Sequence, residues 1–320
     1  MSYSVLSTDK VSTQGLAPLI EDDRFEVASV DDSASAEFGT VLATADALIV
    51  RSATKVGPEL LARAPNLKVI GRAGVGIDNI DLMAATEAGV AVFNAPDGNT
   101  IAAAEMTVAL MLTLTRHVAA ADRSMRDGRW DRADFKGIEL RGKMLGLIGA
   151  GRIGGEVAKR CRAFEMDVIV FDPYLDPDRA KELGLQLVDL ETVIADSDVI
   201  SCHVPLNDET RGLIDAAVMG RMKSHVRLIN ASRGGVINEA DLAEALTDGT
   251  IAGAALDVYE SEPLDVSSPL RTAPNLVMTP HLGASTVEAQ VGVAVAVAKR
   301  VIEVLADGEL SAAVNANELL

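Results

Sequence analysis

The sequence predicts an α/β protein with doubly wound parallel sheets, and three observations support this prediction. Short apolar runs rich in β-branched residues alternate with helical stretches along nearly the whole chain, as in successive βα units. A turn-forming cluster interrupts the alternation at residues 94–99, and the alternation resumes at Lys143. The length of 320 residues, 48% of them hydrophobic, is enough for two domains with sizeable cores.

The first third of the chain predicts a small α/β domain. Its strand candidates are residues 4–6, 47–50, 68–70 and 90–93, and its helical patterns cover residues 58–63 and 82–87. After the turn cluster, apolar residues recur at helical spacing over 101–116, where Asn99 or Thr100 can cap the first turn. This segment predicts a long helix that joins the two domains.

The second half predicts a six-stranded doubly wound sheet. Its strand candidates are residues 144–148, 168–171, 199–202, 227–229, 254–256 and 276–278. The tail at 285–305 opens with Ser285, Thr286, Val287 and Glu288, which have the pattern of a capping box. The Val-Ala alternation at 291–298 is therefore interpreted as helix rather than strand.

Composition and charge argue against several classes of function. With 29 Lys and Arg against 47 Asp and Glu, the net charge is −18, which repels nucleic-acid phosphates. The two cysteines, Cys161 and Cys202, have no Cys or His at metal-ligand spacing, so we expect neither a metal site nor disulfides. No secretory leader pattern occurs, and no apolar run approaches the roughly 18 residues of a membrane span. We therefore expect a cytoplasmic protein with no nucleic-acid or membrane partner, whose acidity fits either high-salt adaptation or an ordinary acidic enzyme.

A glycine motif follows the strand at 144–148. Gly149, Gly151 and Gly154 form a G-x-G-x-x-G turn that leads into a helix, the pattern of a Rossmann-type dinucleotide site. The first glycine permits the tight turn, the second admits the pyrophosphate, and the third lets the helix pack on the strand. Asp172 ends the next strand, where a carboxylate accepts hydrogen bonds from a ribose 2′-hydroxyl and repels a 2′-phosphate. The motif therefore predicts NAD rather than NADP as the cofactor.

Polar residues stand at the ends of the later strands of this half, namely His203, residues 230–233, Asp257 and His281. The carboxyl ends of parallel strands meet at one edge of a sheet, so these residues are expected to converge on one cleft. There Arg233 can bind a carboxylate bidentately and His281 can act as acid and base. A carboxylate such as Glu262 beside the histidine would raise its pKa and fix its tautomer. His117 and His225 are given no role, because their surroundings are typical of surface residues.

Six ordered segments carry a resemblance that covers essentially the whole chain. They are residues 71–80, 94–100, 149–154, 230–235, 257–263 and 279–283. On these segments the chain resembles the D-isomer-specific 2-hydroxyacid dehydrogenases. The resemblance implies a Rossmann-type domain at 99–284, which binds NAD. It also implies a smaller, flavodoxin-like α/β domain made of 1–98 and 285–320, which binds the substrate.

The resemblance also implies roles for individual residues. Arg233, Glu262 and His281 would be the catalytic trio, with Asp257 holding the nicotinamide carboxamide. The cofactor side would comprise Gly149, Gly151, Arg152, Ile153, Gly154, Asp172, His203, Val204, Pro205, Ala231, Ser232, Asp257 and Gly283. The reaction would be hydride transfer from C2 of a 2-hydroxy acid, with Arg233 on the C1 carboxylate and His281 taking the hydroxyl proton.

Assignments on the substrate side follow from the small domain. The loop of Gly74, Val75 and Gly76 would offer backbone N–H groups to the substrate carboxylate. A phosphorylated substrate would need cationic partners in so acidic a protein, and the candidates are Arg51, Ser52 and Arg72, with Arg132 lent by a neighbouring subunit. Val75 stands where relatives can carry a hydroxyl residue.

Alternatives remain open at this point. The substrate could be an unphosphorylated acid such as glyoxylate or hydroxypyruvate, and a non-enzymatic dinucleotide-sensing protein is possible on the same fold. The apolar helix at 101–114 and the segment around Trp130 suggest self-association as a dimer or larger, since both are long enough for a self-complementary interface. Many relatives have further C-terminal regulatory domains, so the chain is expected to be either a short natural form or a truncated one.

Overall fold

The computed structural model describes residues 2–319. Its contacts divide the chain into two compact units, and the continuous unit is Thr100–Gly283. The discontinuous unit runs to residue 99 and resumes at residue 284. The sequence-based division at 98/99 and 284/285 differs by one residue at each junction. The end residues of its predicted ranges, 1 and 320, lie outside the described part.

The strands and helices alternate in both units. The discontinuous unit contains β1 (Tyr3–Ser7), α1 (Ala17–Ile20), β2 (Phe25–Ser29), α2 (Ala36–Leu42), β3 (Ala47–Val50), α3 (Pro58–Leu61), β4 (Val69–Arg72), α4 (Leu82–Glu87) and β5 (Ala91–Asn94). The continuous unit contains α5 (Thr100–Thr115), α6 (Val118–Arg126), β6 (Met144–Ile148), α7 (Arg152–Ala163), β7 (Asp167–Phe171), α8 (Pro177–Glu182), β8 (Gln186–Leu187), α9 (Leu190–Asp196), β9 (Val199–Cys202), α10 (Ala216–Met219), β10 (Arg227–Asn230), α11 (Glu239–Thr247), β11 (Gly253–Leu256), a 3₁₀ turn (Pro269–Arg271) and β12 (Leu276–Met278). The chain then returns to the discontinuous unit with α12 (Val287–Ile302), a π-helical turn (Glu303–Asp307) and α13 (Ala316–Leu319).

The sheet of the discontinuous unit is parallel, in the order β2-β1-β3-β4-β5. This is the flavodoxin-like order, so the predicted fold of the smaller unit is confirmed. Strand β2 was missed, because its sequence Phe-Glu-Val-Ala-Ser lies at the edge of the sheet and is only partly buried. Its phenylalanine, Phe25, stacks on Tyr3 of β1 with ring centroids 5.6 Å apart.

Helix α12 supplies part of the core of the discontinuous unit. Val293, Val297 and Val301 are buried against the sheet, and a Cβ on Gly71 of β4 would stand 2.1 Å from the Val297 side chain. The predicted helix is therefore correct, but the capping box is wrong. The hydroxyl of Thr286 accepts the N–H of Ala289, which makes Thr286 the cap and leaves Ser285 outside the helix.

A segment beyond α12 covers the outer edge of β5. The N–H of Val314 donates to the carbonyl of Val92 at 2.7 Å, and the N–H of Val92 donates to the side-chain oxygen of Asn315 at 3.0 Å. The Asn315 amide also donates to the carbonyl of Val90 and the hydroxyl of Thr86. At Val92, the N–H and the carbonyl on the outer edge of the sheet's last strand are therefore both paired.

The sheet of the continuous unit has seven parallel strands in the order β12-β11-β10-β9-β6-β7-β8. Strand order reverses at β6, which places a topological switch point between β6 and β9. The doubly wound prediction is confirmed, while the predicted count of six was wrong because β8 has only two residues. Alternate strand residues pack on opposite faces: Ile148 and Leu256 belong to one buried cluster, and Leu147 and Ala255 to the other.

Among the described residues, no single helix is long and apolar enough to cross a membrane; α5 and α6 pass that test only as a pair, bent by 63°.

Candidate functional site

The glycine turn joins β6 to α7 at the switch point of the seven-stranded sheet. Gly149 has φ of 91°, and a Cβ there would lie 2.5 Å from the carbonyl oxygen of His203. A Cβ on Gly154 would lie 2.4 Å from the carbonyl oxygen of Gly149. Gly151, in contrast, faces open space with nothing within 4 Å. Gly149 and Gly154 are therefore required by the turn itself, whereas Gly151 leaves room for a ligand at the start of α7.

Asp172 lies beside this turn, at the end of β7. One carboxylate oxygen accepts the N–H of Ala150 at 2.8 Å, and the other accepts the N–H of Tyr174 at 2.9 Å. These bonds fix the carboxylate next to the glycine loop. A fixed negative charge here accepts the hydroxyls of a ribose and opposes a phosphate at the same place.

His203 follows β9 on the other side of the switch point. Its backbone packs against Gly149, and its Nε2 lies 2.9 Å from the hydroxyl of Ser201. Desolvation lowers the pKa of His203 to about 4, so the imidazole is neutral at pH 7. His203 therefore shapes the cofactor turn and carries no charge there.

Arg233 stands in the loop after β10. The side chain of Asn230 shapes this loop: its amide donates to the carbonyl of Arg233 at 2.8 Å, and its oxygen accepts both the N–H and the hydroxyl of Ser232. The Arg233 guanidinium donates to the carbonyl of Ser232 at 2.7 Å. A Cβ on Gly234 would stand 1.8 Å from the carbonyl oxygen of Tyr259, so only glycine allows the loops after β10 and β11 to touch.

His281 and Glu262 form the central pair of the site. His281 follows β12, and its Nδ1 lies 2.7 Å from Oε2 of Glu262. Partial burial raises the pKa of Glu262, but the hydrogen bond and charge of His281, the N–H of Tyr259 and the charge of Arg233 outweigh it and bring the pKa below its ordinary value. The carboxylate is thus ionised at neutral pH, which makes His281 Nδ1 the donor and leaves Nε2 as the basic nitrogen.

Asp257 fixes the loop that carries His281. It is fully buried, and its carboxylate accepts the hydroxyl of Thr279 at 2.5 Å and the N–H groups of Leu282 and Gly283, both at 2.7 Å. His281 itself has φ of 55°, a left-handed conformation that is uncommon for residues other than glycine. The contact of Asp257 with a nicotinamide carboxamide stays a prediction.

The remaining cofactor-side candidates lie close to these groups. Arg152 and Ile153 form the first turn of α7, Val204 packs near Gly149, Pro205 follows Val204, and Ala231 begins the loop of Arg233.

Neither cysteine is suited to nucleophilic chemistry, since both are buried and burial raises the pKa of each thiol to about 12. Within the described residues, no cluster of three or more His, Cys, Asp or Glu side chains could hold a metal ion.

All substrate-side candidates except Arg132 belong to the discontinuous unit. Asp9 accepts the N–H groups of Arg51 and Thr54, at 2.8 and 3.0 Å, and Asn79 donates to their two carbonyls. These contacts hold the loop that contains Arg51 and Ser52.

The predicted Gly74–Gly76 loop has its own supports. The guanidinium of Arg72 lies against Gly74, where a Cβ would be 1.4 Å from it, and φ at Gly74 is 158°. The Asn94 amide donates to the carbonyl of Val75 at 2.6 Å. Arg132, the remaining candidate, is an exposed residue of the continuous unit.

Sequence reasoning missed several supporting residues, among them Asp9, Asn94, Tyr259 and Thr279. Asn94, Tyr259 and Thr279 lie within segments that carried the resemblance, so their positions were available as a signal. Asp9 had none, because it is an isolated aspartate whose partners are 42 and 45 positions away.

The residues around the switch point fit an NAD molecule. The open space at Gly151 and the fixed carboxylate of Asp172 suit a pyrophosphate and a ribose diol, respectively.

Comparison with known proteins agrees with this geometry. Residues 108–283 match the family model described as D-isomer specific 2-hydroxyacid dehydrogenase, NAD binding domain. The chain is 52% identical over 257 residues to a D-3-phosphoglycerate dehydrogenase of Archaeoglobus fulgidus, covering 80% of this chain and 49% of the relative. It is 50% identical over 301 residues to the Bacillus subtilis protein of the same name, covering 94% and 57%.

The solved structure of an NAD-dependent formate dehydrogenase from Staphylococcus aureus in complex with NAD has a TM-score of 0.83, with 29% identity over 96% of both chains. The chain spans about half the length of the curated relatives named above. The fold, the NAD-binding turn and these matches lead to one conclusion: the chain belongs to the D-isomer specific 2-hydroxyacid dehydrogenase family, and NAD is its cofactor.

Proposed function

We propose that this chain catalyses the NAD-dependent oxidation of D-3-phosphoglycerate to 3-phosphohydroxypyruvate, a step that leads to serine. The observation that carries the proposal is the pair formed by His281 Nδ1 and Glu262 Oε2 at 2.7 Å, whose carboxylate also feels the charge of Arg233, in a unit that contains an NAD-binding turn. The substrate is proposed from the names of the relatives at 50% and 52% identity.

The chemistry divides between the cofactor and three side chains. NAD, when bound, supplies the acceptor for a hydride from C2 of the substrate. Arg233 holds the C1 carboxylate by charge-assisted hydrogen bonds. His281 removes the 2-hydroxyl proton through Nε2, since Nδ1 is occupied by Glu262, and the carboxylate of Glu262 stabilises the imidazolium that forms.

The phosphate end is proposed for cationic and polar residues of the discontinuous unit. Arg51, Ser52 and Arg72 would bind the phosphate, and the backbone N–H groups of residues 74–76 would bind the carboxylate. Asp9 and Asn79 support this assignment, because their hydrogen bonds hold the Arg51 loop in one conformation. Arg132 is proposed as a further phosphate ligand, supplied by the second subunit of a dimer.

Self-association and location are proposed on separate grounds. Large apolar side chains are exposed on one stretch of the continuous unit: Ile101, Val118, Met125 and Trp130. Covering them in a homodimer would remove apolar surface from water. Two buried, unbridged cysteines suit a reducing cytoplasm.

The test is NADH consumption with 3-phosphohydroxypyruvate, measured beside hydroxypyruvate and glyoxylate. A strong preference for the phosphorylated acid is expected. Preference for an unphosphorylated acid would move the chain to the alternative activity, that of a glyoxylate or hydroxypyruvate reductase. Arg72→Ala separates the two: it should weaken use of the phosphorylated acid far more than that of hydroxypyruvate, and equal losses would count against the phosphate contact.

A second alternative is a dinucleotide-sensing protein without catalysis. His281→Ala should lower turnover by roughly 10²-fold or more if the histidine is the acid and base. A variant with the turnover of the parent would remove the case for catalysis by this site, while NAD binding measured on the same variant would keep the cofactor assignment.

A further inference from the structure

Tyr259 lies where three loops of the continuous unit meet. It is 8% exposed and packs in the buried cluster on one face of the seven-stranded sheet. The three loops follow β10, β11 and β12 and carry Arg233, Glu262 and His281. The tyrosine touches each of them through a different part of the residue.

The first contact is with the carboxylate of Glu262. The backbone N–H of Tyr259 donates to Oε1 at 3.1 Å, while Oε2 of the same carboxylate accepts Nδ1 of His281 at 2.7 Å. The carboxylate therefore bridges Tyr259 and His281, and its rotation is restrained at both oxygens.

The second contact is with the loop that holds His281. The phenol hydroxyl lies 2.9 Å from the carbonyl oxygen of Thr279, two residues before the histidine, and 3.3 Å from that of Leu256. Burial, reinforced by the negative charges of Asp257, Glu239 and Glu262, raises the pKa of Tyr259 to about 12 despite the Thr279 contact, so the hydroxyl keeps its proton. It restrains a loop whose histidine has φ of 55°, a conformation that needs support from its surroundings.

The third contact is with the arginine loop. The carbonyl of Tyr259 packs directly on Gly234, where a Cβ would be 1.8 Å away. Movement of the Tyr259 backbone would therefore displace the residue that follows Arg233.

From these contacts we propose that Tyr259 is a positioning residue. It keeps the carboxylate of Glu262 and the imidazole of His281 within hydrogen-bond distance of each other while the reaction proceeds. The inference rests on the proposed function, because it assigns Tyr259 to the working of the same acid–base pair. The hydroxyl acts on His281 through Thr279, and the backbone acts on Glu262 directly.

Tyr259→Phe removes the hydroxyl and leaves the ring in the core. We expect kcat to fall roughly tenfold, because a histidine loop with one restraint fewer spends less time in the reactive geometry. The KM for NAD should stay unchanged, since the glycine turn and Asp172 are untouched. Tyr3→Phe is the matched control: Tyr3 lies in the discontinuous unit, where its ring stacks on Phe25, and its variant should keep the kcat of the parent.

A spectroscopic measurement separates positioning from a loss of stability. The proton on His281 Nδ1, hydrogen-bonded to a carboxylate, should give a downfield NMR resonance that is absent from His281→Gln. In folded Tyr259→Phe, at a temperature well below its unfolding transition, this resonance should broaden or disappear through faster exchange with water. Thr279→Val removes the hydroxyl contact with Asp257, a different restraint on the same loop. It should likewise broaden or abolish the His281 resonance.

The double variant Tyr259→Phe with Glu262→Gln completes the test. If the tyrosine acts through the pair, its substitution should cost kcat much less once Glu262 has lost its charge. Additive losses, or a Tyr259→Phe protein with the kcat and the resonance of the parent, would overturn the inference. Failure of the proposed function would look different: the parent would not prefer 3-phosphohydroxypyruvate, while the resonance would still report whether Tyr259 holds His281.

Discussion

The carboxylate of Asp172 lies 2.8 Å from the backbone nitrogen of Ala150, in the middle of the glycine turn. A second bond, from the N–H of Tyr174, holds the other carboxylate oxygen. The carboxylate of Asp172, which would distinguish NAD from NADP, is thus hydrogen-bonded to the glycine loop that would bind the pyrophosphate. A change at Asp172 is therefore expected to alter both affinity and discrimination.

We expect Asp172→Asn to weaken the binding of NAD and to improve the use of NADP relative to NAD. The amide keeps the shape of the side chain but loses the charge that attracts ribose hydroxyls and repels a 2′-phosphate. The ratio of kcat/KM for NAD over NADP should fall roughly tenfold or more. Steady-state assays with both cofactors check this, and an unchanged ratio would mean that Asp172 does not contact the ribose.

Gly151→Ala and Gly154→Ala should both weaken NAD binding, but for different reasons. A Cβ on Gly154 meets a backbone oxygen at 2.4 Å, so this variant should lose both stability and NAD binding. A Cβ on Gly151 meets nothing of the protein within 4 Å, so this variant should fold with the stability of the parent and lose only its affinity for NAD. Urea unfolding and NAD titration by fluorescence separate the two outcomes.

The neighbouring Gly155→Ala is the control for both variants. Its Cβ has only an ordinary contact at 3.9 Å, and alanine favours the helix by up to about 1 kcal/mol. We expect it to keep the cofactor and gain slightly in stability. A Gly151→Ala protein that binds NAD as tightly as Gly155→Ala would contradict the placement of the pyrophosphate.

Asp198 should stabilise the continuous unit in a pH-dependent way. Burial raises the pKa of Asp198, but the N–H of Met144, the ring of His225 and the ammonium of Lys223 outweigh it and lower the pKa from 3.8 to about 2. Because the folded pKa is the lower one, the contribution is fully present above pH 3.8 and is lost as the pH falls towards 2. It amounts to roughly 2 kcal/mol.

Asp198→Asn should therefore lower the free energy of unfolding at pH 7 by about 2 kcal/mol. Urea unfolding at pH 7, 5, 4 and 3 should show the difference from the parent shrinking only at the acidic end. Asp208→Asn, which changes an exposed aspartate, should show no such difference. A constant gap between parent and Asp198→Asn down to pH 3 would mean that the charge of Asp198 is not what stabilises the fold.

Trp130 tests the proposed dimer. Its side chain is 77% exposed, and Met125 and Val118 of the same stretch are 54% and 53% exposed. If this surface is an interface, Trp130→Arg should convert dimers to monomers in light scattering at micromolar concentration. Val266→Arg, which places the same charge at an 89% exposed apolar position elsewhere, should leave the mass unchanged. A parent protein with the mass of a monomer would contradict the proposal.

The periodicity of the chain predicted most of the fold because buried strands of a parallel sheet are continuous apolar runs. Strands β3, β6, β9 and β12 were predicted with the bounds that the structure has. The edge strands β2 and β8 were missed, since a short or half-exposed strand has no such run. The cap at Thr286 instead of Ser285 was missed because a capping motif is satisfied at either of two adjacent hydroxyl residues.

The site was predictable as a set of residues but not as a geometry. Strand ends indicated His281 and Asp257, yet nothing in the spacing placed Glu262 Oε2 at 2.7 Å from the imidazole. The contacts of Tyr259 depend on the close approach of two loops at Gly234, which no local pattern encodes. Supporting residues of this kind are set by tertiary packing and become visible only once the loops are in place.

The pairing of Asn315 with β5 has a consequence for how the chain is made. The side-chain oxygen of Asn315 completes a strand that lies 223 residues earlier, and α12 fills the core beside it. During translation, the first hundred residues leave the ribosome without the helix and the edge cover that their sheet needs. The continuous unit has all its strands well before that point, so it can fold first. The N-terminal sheet keeps an open edge, which is prone to aggregation, until α12 and Asn315 have emerged.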